Sequence, residues 1–233
     1  TVRPPMIMTI HTPIATITAM QIDQLTTLNQ WFSPGYPLGS FAYSHGLETA
    51  IQDGRVKTAE QLEDWLRDLL TYGTGRSDVT LLYAAHECRD DAAALAVDTT
   101  ARAFAPSAER LHEGVQQGDA FCRTTSAIWA IDLPPLTHPV AVGYAAGQLG
   151  IAADLTGTLY LQAFAANLVS CAVRLVPLGQ TEGQWVLQRL AGLCAQIAQT
   201  AAQDGIEDLA STTFAADIAA MRHETLEHRI FRT

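Results

Sequence analysis

No charged side chain occurs between Leu155 and Val173, a stretch of 19 residues closed by Arg174. Leu159, Leu161, Leu168, Val169 and Val173 supply bulk, while Ala163, Ala165, Ala166 and Ala172 let neighbouring backbones approach closely. As a helix, the run places Asn167, Ser170, Cys171 and Arg174 on one polar stripe. Pro177 cannot continue that helix, and Gly179 and Gly183 mark a turn behind it. A run of this length also reaches the thickness of a bilayer. Gln162 and Asn167 near its middle would be costly in hydrocarbon, however, so no membrane is expected. The expectation is a long core helix, buried nearly all round.

Helical periods and breaks recur on both sides of this run. Residues 1–23, rich in Thr, Pro and Ile without a clean period, read as an extended or mobile leader. Gln24 to Phe32 predicts a short helix, broken by Ser33-Pro34-Gly35-Tyr36-Pro37. Ser40 is placed to cap a second helix from Phe41 to Gln52. Thr58 and Gln61 form a capping-box pattern opening Ala59 to Tyr72, whose Leu62, Trp65, Leu66 and Leu69 make an amphipathic stripe. Further helices are expected from Ser77 or Asp78 to Arg89, Asp91 to Phe104, and Ala108 to Ile131 with an interruption near Gly118. Others are expected from His138 to Gly150, after Asp154, from Thr181 to Gln203, and from Thr213 to His228. No window alternates like a strand. The fold class is therefore all-α: one helical bundle of about ten helices over residues 24–221, packed around the long apolar helix, with a tail at 222–233.

Charge and cysteine usage exclude several functions. The chain carries a net charge of −10, which argues against a nucleic-acid partner. Its residues are 48% hydrophobic and 16% charged, a surplus often buried against partners. Four cysteines stand far apart without a CxxC pair and read as buried free thiols. Thr1 to Ile22 holds Arg3 as its sole cation and three prolines, unlike a signal peptide, so a cytoplasmic location is expected.

Catalytic patterns are sparse. A phosphate-binding loop needs glycine directly before its lysine, and the sole lysine, Lys57, follows Val56. Glu109 and His112 form a single Glu-x-x-His pair where a di-iron bundle needs two. His223-Glu224 lacks the second histidine of a zinc motif. Ser44 and His45 are adjacent, which on a helix would keep their side chains apart. His45 and Glu48, three residues apart, would share a face and bind an incoming group or each other. The enzyme alternative is a small-molecule pocket near Tyr43, His45 and Glu48, with His45 as general base. The tail from Arg222 concentrates arginines beside Ile230-Phe231, a composition suited either to docking on another protein or to a frayed, solvated end.

Three segments carry a family resemblance: SPGYPLGSFAYSHGLE at Ser33–Glu48, NLVSCAVRLVPLGQTEGQ at Asn167–Gln184, and RHETLEHRIFRT at Arg222–Thr233. In order and spacing they resemble the urease accessory protein UreF family, over roughly Leu25 to the last residue. The resemblance implies an all-helical, non-catalytic protein that forms a homodimer and binds UreD (also called UreH). The pair then recruits the GTPase UreG to deliver nickel to apo-urease. No stably bound cofactor is implied, nickel being cargo passing through the complex. By matching position, the resemblance assigns partner binding to Pro37, Gly39, Ser44, His45, Glu48, Asn167, Arg174, Gln180, Arg222, His223, Glu224 and Arg229.

Overall fold

Hydroxyl and carboxylate caps open several helices in the computed structural model, which describes residues 19–232. In chain order the helices are α1 (Ala19–Trp31), α2 (Leu47–Gln52), α3 (Ala59–Tyr72), α4 (Thr74–His86) and α5 (Asp91–Ala103). They continue with α6 (Ala108–Trp129), α7 (His138–Gln148), α8 (Ala153–Leu175), α9 (Gln180–Ala201) and α10 (Phe214–His223). Two 3-10 turns lie at Ser40–Ala42 and Ile206–Asp208. Thr58 accepts the Gln61 amide at the start of α3, Asp90 that of Ala93 in α5, and Ser107 that of Arg110 in α6. Each cap satisfies a donor the first helical turn leaves open. Among the described residues there is no strand, so the fold is all-α.

The uncharged run lies inside α8. That helix packs most extensively on α9 and also touches α2, α3, α4 and α7. The most extensive contact of the fold joins α4 to α7, with α6 also packed on α7 and α3 against α9. Leu161, Ala165, Leu168, Cys171 and Ala172 of α8 are buried, as are Leu62, Leu66, Leu69 and Leu70 of α3. Burying each of these leucines stabilises the fold by roughly 1.5–3 kcal/mol. By length and composition α8 could cross a bilayer, the one such helix among the described residues. Here its apolar positions meet other helices.

Several expectations are corrected. α8 is not buried all round: Ser170 and Arg174 are exposed, and Ala163, Phe164 and Asn167 line a cavity. The expected leader lies outside the described residues as far as residue 18, and residues 19–23 belong to α1. Ala19, Met20 and Gln21 are good helix formers that extend it. α4 follows α3 after the single residue Gly73, placing Ser77 and Asp78 inside a helix instead of at its cap. α6 runs uninterrupted through Gly118, which is a packing site: a Cβ there would lie 1.9 Å from the Leu136 carbonyl oxygen. The helix expected from Phe41 to Gln52 is broken in its middle. Tyr43 is extended, His45 has φ 53° and Gly46 φ 76°, so only Leu47–Gln52 is α-helical. α10 ends at His223, and the chain beyond folds back over the bundle without helical structure.

Candidate functional site

The break before α2 determines where the first signature segment points. Tyr36 is anchored in an aromatic cluster with Phe121 and Trp129, and its hydroxyl is 2.8 Å from Thr125 Oγ1. Seven residues on, the extended Tyr43 offers its carbonyl to α8, accepting from Asn167 Nδ2 at 3.2 Å and from Cys171 Sγ at 3.4 Å. The buried half of the α8 stripe therefore grips backbone of the first segment. In its exposed half Arg174 donates to the carbonyl and hydroxyl of Ser170.

Left-handed backbone at His45 and Gly46 then sends neighbouring side chains in different directions. Ser44 Oγ accepts the Glu48 amide at 3.3 Å, within the first turn of α2. Gly46 lies against α10, where a Cβ would come 2.6 Å from the Ala220 nitrogen. Glu48, 1% exposed, faces the third segment. Its Oε1 accepts the Ile230 amide at 2.8 Å, and its Oε2 the Phe231 amide at 3.0 Å. His223, fully buried, stands between two carboxylates, with Nε2 3.1 Å from Glu48 and Nδ1 3.0 Å from Glu109. Arg229 pairs with the other Glu109 oxygen. Phe231 is buried beneath Arg174, whose guanidinium sits 5.4 Å from the ring centroid. The Arg232 amide donates to the Ala42 carbonyl at 2.7 Å. Three segments far apart in the chain thus close into one knot around Glu48.

His45 turns the other way. Its Nε2 is 2.9 Å from Glu113 Oε1 and 3.2 Å from Arg110 Nη1, and Arg110 also pairs with Glu113. Gln117 donates to Glu113 at 2.8 Å. Burial, with the Arg110 charge beside it, lowers the His45 pKa and leaves the ring neutral at pH 7. Burial would raise Glu113, but the Arg110 charge and His45 outweigh it and bring the carboxyl down to about 2. Beyond this cluster opens a cavity of about 390 Å³ between α1, α4, α6, α7 and α8. Its polar residues include Asp78, Arg110, His138 and Tyr160. Tyr160 donates to Asp78 at 2.8 Å. Burial raises Asp78 to about 6, opposed in part by Arg110, and lowers His138 to about 4. Neither Tyr43 nor Glu48 lines the cavity. The pocket expected around Tyr43, His45 and Glu48 is thus divided, because His45 and Glu48 do not share a helical face.

The residues assigned from sequence are therefore sorted by the fold. Ser44, His45, Glu48 and His223 are buried and spend polar groups inside the chain, so they support a surface from beneath instead of forming it. Arg174, Arg222, Glu224 and Arg229 are exposed, and Arg222 makes a two-pronged pair with Asp53 at 2.5 and 3.2 Å. Pro37 and Gln180 are exposed and Gly39 half-buried, all three outside the knot. The tail neither frays nor waits for a partner to hold it, because Glu48 holds it. Glu109, Arg110, Glu113 and Asp78 carry much of the geometry and have no signature in the sequence. Glu109 stands out there only beside His112, which is exposed and does not join it. Among the described residues no group of three or more His, Cys, Asp and Glu side chains is placed to hold a metal ion.

Comparison with known proteins gives consistent matches. The family model described as UreF matches residues 56–191. The urease accessory protein UreF of Roseobacter denitrificans is 52% identical over 226 residues, covering 97% of this chain and 100% of the relative. That of Ruegeria pomeroyi is 48% identical over 210 residues, covering 90% and 97%. That of Cereibacter sphaeroides is 51% identical over 209 residues, covering 90% and 98%.

Proposed function

The chain belongs to the UreF family of urease accessory proteins, and from that premise we propose that it is a non-catalytic helical scaffold in urease maturation. On this reading it works in the cytoplasm as a homodimer, binds UreD (UreH) and recruits the GTPase UreG. Nickel is the cargo of the assembly and passes to apo-urease without a lasting site on this chain. The observation that supports the reading is the knot around Glu48. It fixes an irregular tail, rich in arginine, as a rigid part of the surface. A pre-ordered surface of this kind loses less conformational entropy on binding than a frayed end would. Around the knot Met221, Ile230 and Phe41 are exposed beside Arg222 and Arg229, the mix of apolar and arginine side chains that binding hot spots favour.

Co-purification tests this directly. The chain, mixed with homologous UreD and then UreG, should form a UreD complex first and a ternary complex after. Substituting Arg222 and Arg229 together with alanine should weaken the UreD complex while the helical circular-dichroism signal persists. Purified, folded partners that ignore the intact chain would remove the proposal.

A further inference from the structure

The knot around Glu48 makes no use of the cavity on the other side of His45, and that cavity has the features of a small-molecule site. It is concave and, at about 390 Å³, falls in the range of pockets that enclose small ligands. Phe32, Leu38, Leu81, Phe104 and Phe164 supply apolar wall. Two of its charged or polar lining residues, His45 and Arg110, have side chains about nine-tenths buried. Among the described residues each retains one nitrogen without a partner, His45 Nδ1 and Arg110 Nε, and His138 Nε2 and Thr137 Oγ1 are in the same condition. Buried polar atoms are ordinarily paired, and three of these, His45 Nδ1, His138 Nε2 and Thr137 Oγ1, can accept from a ligand N–H, whereas Arg110 Nε is a donor.

Charge says what is missing. Asp78 and Glu113 place two carboxylates here against one buried guanidinium, Arg110. Arg174 also lines the cavity, but it is exposed and screened by water. The carboxylate of Glu113 only accepts hydrogen bonds, so the close His45 Nε2 carries the proton and Nδ1 is left an acceptor. Asp78 meets the Tyr160 hydroxyl but, among the described residues, no cation within ion-pairing distance. We propose that this cavity binds a small organic monocation, an ammonium or guanidinium on an apolar stem, with Asp78 as its ion-pair partner and Phe164 and Phe104 against its stem. Burial raises the Asp78 carboxyl to about 6, and the Arg110 charge offsets that rise only in part.

Calorimetric titration of the full chain with n-hexylamine, n-hexanol and hexanoate tests the assignment. The amine should bind saturably at millimolar concentration, the alcohol more weakly and the acid least. Asp78→Asn should weaken amine binding at least about tenfold, the loss of one ion pair, and leave alcohol binding unchanged. Ala163→Phe, which fills the cavity from α8, should abolish binding of all three. Equal affinity for amine and alcohol, amine binding indifferent to Asp78→Asn in a folded variant, or no saturable amine binding would each overturn the proposal. The outcome is independent of the UreD and UreG experiment, which reads the opposite side of His45.

Discussion

Glu48 and Ile230 stand 182 positions apart, and the buried carboxylate of the first accepts the backbone amide of the second at 2.8 Å. With the Phe231 amide on its other oxygen, one side chain substitutes for the hydrogen bonds that helix or sheet would otherwise give the end of the chain. Charge-assisted bonds to backbone donors are among the stronger ones available to a side chain.

Glu48→Gln places an amide NH2 where a carboxylate oxygen faced a donor, so one donor must go unpaired. The expected destabilisation is about 2–3 kcal/mol. Hydrogen exchange should show the Ile230 and Phe231 amides losing protection while amides in α8 keep theirs. Unchanged protection at both tail positions would contradict the knot.

Arg222→Ala separates fold from binding. The Arg222–Asp53 pair is exposed, and such pairs contribute about 0–1 kcal/mol. The urea midpoint should therefore barely move, whereas the proposed UreD complex should weaken. A large loss of stability would instead make Arg222 a structural residue.

Gly46→Ala tests the approach of α2 to α10. Alanine at φ 76° is strained, and its Cβ would overlap the Ala220 nitrogen. Together these should cost about 2–4 kcal/mol. Gly39→Ala shares the positive φ of 71° but meets open space, so it should cost only about 1 kcal/mol. Denaturant unfolding of the two variants side by side measures the difference.

Asp78 should impose a pH dependence on stability. Its folded pKa of about 6 lies above the ordinary 3.8, so the folded chain holds this proton more tightly than the unfolded chain. Its contribution is fully present below pH 3.8 and is lost as pH rises through about 6. At neutral pH the charge then costs about 3 kcal/mol, an order-of-magnitude conversion of the shift. Arg110 and the Tyr160 hydroxyl moderate this cost and Glu113 adds to it. Asp78→Asn should be more stable than the parent at pH 7, and its advantage should shrink on acidification. His45 and His138 resist protonation in the fold and lose stability on acidification, but they do so in both proteins and cancel from the difference.

Much of the fold is legible along the chain because helices are local. The boundaries of α3 follow from Thr58, the Leu62–Leu66–Leu69 spacing and Gly73, and the structure places them where those residues predict. The centre of α8 follows from its lack of charge. The segment before α2 is legible as a signature but not as a shape. Its turn depends on Gly46 touching α10 and on Tyr43 bonding to Asn167 and Cys171, contacts made with residues more than a hundred positions away. Local propensity at Phe41–Gln52 favours a helix, and tertiary packing overrides it.

The chain by itself determined that this protein is helical, where most of its helices begin and end, and which three segments distinguish it. Those properties depend on neighbours within a turn or two of helix. Only the tertiary structure decided that the three segments bind one another, that Glu48 and His45 face opposite sides, and that Asp78 lines a cavity beside Arg110 and Tyr160. Each of these depends on which side chains share a low-dielectric interior, and burial strengthens a charge interaction that no sequence spacing records.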